Sequence, residues 1–331
     1  TVSEYKKIHG IHIQALASDP SNLGSGQVWY NTTSNQLKIT AVSTTGAWAT
    51  GGNMGTGRGS LGAAGTQTSG LAFGGKISPP PATNATEHYD GSTWTAGGNM
   101  ATARTILGGA GTQTAALGFG GRIPTLSPTA TNVTEHYDGS AWTSGGNLAT
   151  GRYDMGSAGT QTAGLAFGGS TDSSTLATEH YDGSAWTTGG NMATPTWNRE
   201  GAGTQTAALG FGGYFSDPGS TYATEHYDGS AWTSGGIMST GRYMLGSAGT
   251  QTAGLGFGGY LDMSGSNVTE HYDGSAWTSG GNLGTAREGL AGAGTQTAGL
   301  AFGGYDPSPS TTNATEEYTG PGIISQTVTA S

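Results

Sequence analysis

From Trp48 onward the chain alternates short apolar runs with glycine- and threonine-rich punctuation, and the alternation repeats. One copy, Trp94 to Gly121, reads W-T-A-G-G-N-M-A-T-A-R-T-I-L-G-G-A-G-T-Q-T-A-A-L-G-F-G-G. Each copy parses into four short strands. The first is A-W-T, at Trp48, Trp94, Trp142, Trp186, Trp232 and Trp277. A G-G-N-M/L-x-T-x-R turn follows, then a Gly/Ala-rich strand that ends at G-T-Q-T. The third strand is A-G-L-A-F, closed by a double Gly. After a loop of 8 to 12 residues comes T-E-H-Y, and then the tight turn D-G-S. Asp-Gly between two strand-like runs is a strong hairpin signal. The G-T-Q-T tetrads begin at Gly65, Gly111, Gly159, Gly203, Gly249 and Gly294, in steps of 46, 48, 44, 46 and 45 residues. A period of that size marks a repeat architecture built from one supersecondary unit.

The first repeat begins at its Trp strand and the last ends at Thr315-Glu316-Glu317-Tyr318. Pairing the Trp48 strand with the Tyr318 strand would complete the sixth unit and remove two free edges. Residues 1–47 lie outside the repeat. They carry a strand signal at Ile11–Ala17, a turn at Ser18–Asn22, and two strands, 27–30 and 36–40, joined by a polar loop. This arm is too small to bury a core of its own. It is expected to pack on the repeat body or on another chain. Residues 321–331 form a tail with Ile323, Ile324 and Val328 available for one more strand pairing.

Double Gly, loop, Tyr, Trp five residues on, then Met-x-Thr-x-Arg: six times over, this pattern resembles the kelch repeat. The resemblance covers Trp48 to Tyr318. It implies an all-β, six-bladed kelch-like β-propeller at 48–320, with the double Gly ending strand two, Tyr in strand three and Trp in strand four. The Ala/Gly-rich inner strands depart from the usual kelch pattern, where larger aliphatics are commoner.

Composition narrows the functions. The 331 residues include 64 Gly, no Cys and only 10% charged residues, with a formal charge of −10. Glycines held in register point to tight turns and close backbones rather than disorder. Without Cys there is no disulfide, thiolate metal site or Cys nucleophile. The acidic balance opposes nucleic acid and anionic membrane surfaces as partners. No apolar run of 18 residues suggests membrane insertion.

The repeats differ from one another at two segments. One follows the arginine: 59–61, 105–107, 153–155, 197–199, 243–245 and 288–290. The other follows the double Gly: 76–85, 122–133, 170–177, 214–223, 260–268 and 305–314. In an up-and-down blade both fall on one face, and the constant G-T-Q-T and Y-D-G-S turns fall on the other. Loops on a rigid scaffold are where binding usually lives. The variable set holds Tyr153, Trp197, Tyr214, Tyr243, Tyr260 and Tyr305, aromatics that are costly to expose without use. Arg58, Arg104, Arg152, Arg242 and Arg287 each stand seven residues before G-T-Q-T; the fourth repeat has Thr196 there and Arg199 three residues later. A ring of guanidiniums at the channel mouth would suit carboxylate or sulfate groups of a ligand, as the kelch resemblance also implies. The same repetition fits a structural role, each arginine bonding carbonyls of its blade.

His88, His136, His180, His226 and His271 fall in separate blades, more than about 10 Å apart, and are expected to be structural; no metal or other cofactor is expected. No Ser-His-Asp set or paired carboxylates stand out, so no enzymatic activity is expected. The arm adds one more resemblance. D-P-S-N at 19–22, G-x-V-W-Y-N at 26–31 and N-x-L-K at 35–38 are similar to segments of structural proteins of tailed, especially marine, bacteriophages. That implies a viral structural or fibre-type protein in the virion, within an oligomeric assembly. Residues 1–47 would anchor it to other virion proteins, and the variable face would bind a host-surface glycan or protein. Two alternatives stand beside it: a purely structural decoration protein, and a glycan-cleaving enzyme of sialidase type.

Overall fold

The structure is a computed structural model; it describes residues 13–21, 24, 26–78, 81–127, 129–171, 173–215, 219–307 and 310–328. The chain divides into two compact units, Ala47–Thr319 and a second made of the segments before and after it.

The larger unit is all-β and contains six similar four-stranded antiparallel sheets. Sheet 1 comprises Gly62–Thr66, Ser69–Phe73, Thr86–Tyr89 and Trp94–Ala96. Sheets 2 to 5 repeat this order, with inner strands at Gly108–Thr112, Gly156–Thr160, Glu200–Thr204 and Gly246–Thr250. Sheet 6 takes Ala291–Gly294, Ala298–Phe302 and Thr315–Thr319 from the end of the repeat and Ala47–Thr50 from its beginning. Tyr318 stands opposite Trp48 in that pairing, as the repeat boundaries predict.

The core lies between neighbouring sheets. Leu71 and Phe73 of sheet 1 pack with Ala116, Tyr137 and Trp142 of sheet 2, and Phe73 meets Trp142 at 4.9 Å between ring centroids. The same cluster type joins sheet 6 to sheet 1 through Phe302, Leu300, Ala72 and Tyr89. Polar belts tie the same neighbours. The indole N–H of Trp142 donates to Thr86 at 2.9 Å, and that of Trp94 donates to Thr315 at 2.9 Å. The constant Gln reaches back one sheet: Gln113 Nε2 donates to the carbonyls of Gly70 and Tyr89, and Gln67 Nε2 to those of Gly299 and Tyr318. This use explains why the G-T-Q-T turn hardly changes. The histidines form a third belt, His88 with Tyr137 at 2.6 Å through His271 with Tyr318 at 2.6 Å. Glu317, in place of the sixth histidine, accepts from Tyr89 at 2.5 Å. Burial lowers the pKa of all five belt histidines, favouring the neutral ring.

The inner strands are Ala/Gly-rich for a steric reason. A Cβ on Gly109 would sit 2.4 Å from the Ala63 carbonyl oxygen, and one on Gly292 would sit 2.3 Å from that of Ser247. Larger aliphatics at these positions would force the strands apart. The first strands of all six sheets line one cavity of about 180 Å³.

The smaller unit is a four-stranded sheet in the order Gln14–Leu16, Val28–Asn31, Gln36–Ser43, Gly322–Thr327. The tail segment therefore pairs along six of the eight residues of the 36–43 strand, from Lys38 opposite Thr327 to Ser43 opposite Gly322. Trp29 is fully buried, and its indole N–H donates to Asp19 at 3.0 Å. Asp19 also accepts from Asn31 at 2.8 Å. Residues 11 and 12 of the expected first strand lie outside the described residues.

Candidate functional site: the variable rim of the six sheets

The arginines do not face a ligand, which corrects the expectation of a guanidinium ring at the mouth. Arg58, Arg104, Arg152, Arg199, Arg242 and Arg287 are all at most 1% exposed. Each pairs with the Glu of a T-E-H-Y strand, or with the first Glu of T-E-E-Y in the sixth sheet, at 2.7 to 3.0 Å: Glu87, Glu135, Glu179, Glu225, Glu270 and Glu316 respectively. Arg104 shows the logic. Its Nη1 donates to the carbonyls of Gly120 and Val133, its Nη2 to Glu135, and the second oxygen of Glu135 accepts from the Ala101 N–H at 2.7 Å. One side chain thus satisfies the carbonyl of the first glycine of the pair and adds a second donor to the Val133 carbonyl, which also accepts from the Gly120 N–H at 2.9 Å. Desolvation pulls the Arg104 pKa down to about 10, with Glu135 opposing it.

The fourth repeat reaches the same pair by another route. Thr196 holds the usual arginine position, and Arg199 projects from the position where other repeats have Leu or Met. Its Nη1 still meets Glu225 at 2.9 Å and also donates to Thr196 Oγ1 at 3.2 Å. The next residue, Glu200, stands where the other repeats have Gly or Ala.

The rim is built from two positions per repeat, bridged backbone to backbone. The residue after the arginine pairs with the residue after the double Gly: Gly59 with Lys76, Thr105 with Arg122, Tyr153 with Ser170, Trp197 with Tyr214, Tyr243 with Tyr260, and Glu288 with Tyr305. The rim is therefore polarised. Sheets 4 and 5 place Trp197, Tyr214, Tyr243 and Tyr260 in an unbroken line of ring contacts, with centroid separations of 5.5, 5.1 and 5.1 Å. All four are partly exposed. Tyr153 stands outside this arc, beneath the guanidinium of Arg122 at 5.1 Å. Tyr305 is also separate; its hydroxyl lies 3.3 Å from Ser60 Oγ.

The opposite part of the rim carries the basic residues. Lys76 and Arg122 line a groove of about 370 Å³ with Ser60, Ile106, Pro124 and Tyr305. The sequence reading missed both. Their signal was positional, because each is the first residue after a double Gly, where three other repeats have Tyr.

Inside the rim, the next residue of each repeat adopts a left-handed backbone: Ser60, Ile106, Asp154, Asn198, Met244 and Gly289, with φ between 52° and 58°. Their backbones hand hydrogen bonds from one sheet to the next: Ile106 N–H to the Ser60 carbonyl, Asp154 to Ile106, Asn198 to Asp154, Gly289 to Met244 and Ser60 to Gly289. These residues frame a second cavity of about 70 Å³. Asp154 and Glu200 line it. Asp154 is 8% exposed and its Oδ1 has no hydrogen-bond partner. Burial pushes its pKa up to about 7, with the charge of Arg122 pulling the other way. Glu200 also lines the 180 Å³ cavity, and desolvation pushes it up to about 8, aided by Asp154 and opposed by the hydrogen bond from Ser247 at 3.0 Å. Glu288, on the rim, is also raised by burial.

Among the described residues no group of three or more His, Cys, Asp or Glu is placed to hold a metal ion. No helix of the described residues is long and apolar enough to cross a membrane. Compared with models of protein families and with curated protein sequences, the chain matches none.

Proposed function

We propose that the six sheets form a closed six-bladed propeller of kelch type whose variable rim binds a host-surface glycan, as the receptor-recognition part of a viral fibre-type protein. The closed ring is supported by three independent belts. The Trp–Thr, Gln–carbonyl and Tyr-hydroxyl bonds each run from sheet 6 back to sheet 1.

The observation that carries the binding reading is the line of Trp197, Tyr214, Tyr243 and Tyr260. Four large rings in edge-to-face and tilted contact, with interplanar angles of 67°, 67° and 47°, form a ridged, partly exposed apolar surface that carries three tyrosine hydroxyls. Such surface is stabilised when a ligand with one apolar face and several hydroxyls covers it, and a sugar ring has that character. The rim is also where the repeats differ, while the opposite turns stay constant because their Gln and Asp side chains are structurally committed. The viral assignment rests on the resemblance of the 19–38 segment to phage structural proteins. Residues 1–47 would then anchor the chain to other virion proteins.

Binding of the full chain to immobilised bacterial surface polysaccharides tests the reading. Trp197→Ala/Tyr243→Ala should weaken binding at least tenfold with the circular dichroism unchanged. Undiminished binding by this variant would remove the arc from the site. Labelling of intact particles by antibody against the rim tests the viral placement, and particles lacking the chain would refute it.

A further inference from the structure

We propose that the groove holding Lys76 and Arg122 binds the anionic group, carboxylate or sulfate, of an acidic saccharide. This rests on the glycan reading of the rim and adds the charge class of the sugar.

The chain has 11 basic residues and a net charge of −10. Within Ala47–Thr319 there are eight, of which six are the arginines locked in buried ion pairs. The two that remain, Lys76 and Arg122, make no ion pair among the described residues and share one groove. Positive charge available to a ligand of this unit is thus concentrated at a single place on the variable rim.

The two side chains are prepared differently. Arg122 is half-buried; its Nε donates to Thr129 Oγ1 at 3.2 Å and its guanidinium lies over Tyr153 at 5.1 Å. A guanidinium held by its Nε and stacked on a ring keeps its outer N–H groups in a fixed fork, which suits a planar carboxylate or a sulfate. Lys76 is exposed on a fixed backbone, since its N–H and C=O both bond Gly59, at 2.8 and 3.0 Å. Its flexible ammonium can follow the same anion. Ile106, Pro124 and the Tyr305 ring supply apolar wall. A volume of about 370 Å³ is within the range of small-molecule sites and is far larger than a bare ion needs. Two cations are too few for nucleic acid, which needs an extended basic track. An acidic peptide would use the cations but has no feature that matches the aromatic arc across the rim, where the glycan reading places sugar contacts.

The test measures binding of the full chain to four immobilised polymers: alginate for carboxylate, dextran sulfate for sulfate, unmodified dextran as neutral sugar, and polyglutamate as acidic peptide. We expect binding to at least one acidic polysaccharide that exceeds dextran tenfold or more and weakens as salt rises. It should fall at least tenfold in Lys76→Ala/Arg122→Ala and vanish in Lys76→Glu/Arg122→Glu. Lys76→Glu alone, at an exposed position, keeps the test independent of folding and should weaken acidic binding without affecting dextran. Equal binding to charged and neutral polysaccharides, unchanged in these variants, would overturn the proposal and leave the glycan reading standing. Binding to polyglutamate alone would overturn both in favour of a protein ligand, and no binding to any saccharide would overturn both outright.

Discussion

Changing Asp154 and Glu200 to their amides should flatten a fall in stability that the native chain shows as pH rises. Both carboxyls are drawn into the 70 Å³ mouth cavity, and neither has an arginine partner of the kind that neutralises the T-E-H-Y glutamates. Folding lifts Asp154 from 3.8 to about 7. It lifts Glu200 from 4.5 to about 8. Between the unfolded and folded values the native state holds protons that the unfolded chain has released, so stability declines with pH. The decline begins above about pH 4 and is complete once pH passes the folded values. At 1.36 kcal/mol per unit, Asp154 accounts for about 4 kcal/mol and Glu200 for about 5 kcal/mol. The two do not add, because the Asp154 charge is one of the causes raising Glu200. The belt histidines act in the other direction. Their lowered pKa contributes stability that is present above about pH 6.5 and lost as pH falls. Comparing native and variant chains at each pH cancels that contribution. Urea unfolding followed by tryptophan fluorescence at pH 5, 7 and 9 is the assay. Asp154→Asn/Glu200→Gln should gain about 4 kcal/mol or more on the native chain between pH 5 and pH 9, at an unchanged denaturant slope. Parallel pH profiles for the two proteins would refute the assignment of these groups as unpaired buried acids.

Three further outcomes follow from the packing. Arg104→Ala should cost about 3–5 kcal/mol by leaving Glu135 buried without its partner, whereas replacing both by apolar residues of similar volume should cost far less; thermal unfolding separates the two. Ile106 is a β-branched residue at φ 58°, so Ile106→Asn should raise stability by about 1 kcal/mol, and a lower melting temperature would show that its groove contacts outweigh the strain. Trp142→Ala removes a 9% exposed ring packed on Phe73 and Tyr137 together with its bond to Thr86, and should cost about 3–5 kcal/mol by urea unfolding.

Much of the architecture was legible because the repeat is nearly exact. The position of D-G-S fixed the hairpin between the Tyr and Trp strands, and the truncated first and last copies foretold the Trp48–Tyr318 pairing. The arginines were harder, since a residue repeated in every unit can face a ligand or tie the unit together. What decides is its partner: the Glu of T-E-H-Y repeats just as faithfully, yet nearly 30 residues separate Arg58 from Glu87 in the chain, and only the sheet brings them together. Arg199 makes the same point, because a displacement of three residues along the chain still preserves the contact with its strand glutamate. Once those arginines are committed, the charge left for a ligand falls to Lys76 and Arg122, which the sequence alone did not distinguish from loop variation. The aromatic residues were visible, but their grouping was not. Trp197 and Tyr214 come from opposite ends of one repeat's inner hairpin, and Tyr243 and Tyr260 from the next; the rim bridges bring each pair together, and the ring contact of Tyr214 with Tyr243 joins the two repeats. Asp154 and Glu200 were hidden because burial, not residue type, makes them unusual.

The most direct test of the central claim is binding of the full chain to a panel of bacterial cells and their extracted surface polysaccharides, with Tyr153→Ala/Trp197→Ala/Tyr243→Ala beside the native protein. Saturable binding by the native chain, lost in the triple variant while its circular dichroism and melting temperature stay native-like, is the predicted result. Equal binding by both proteins, or none by the native chain to any surface tested, would contradict the rim as a receptor site.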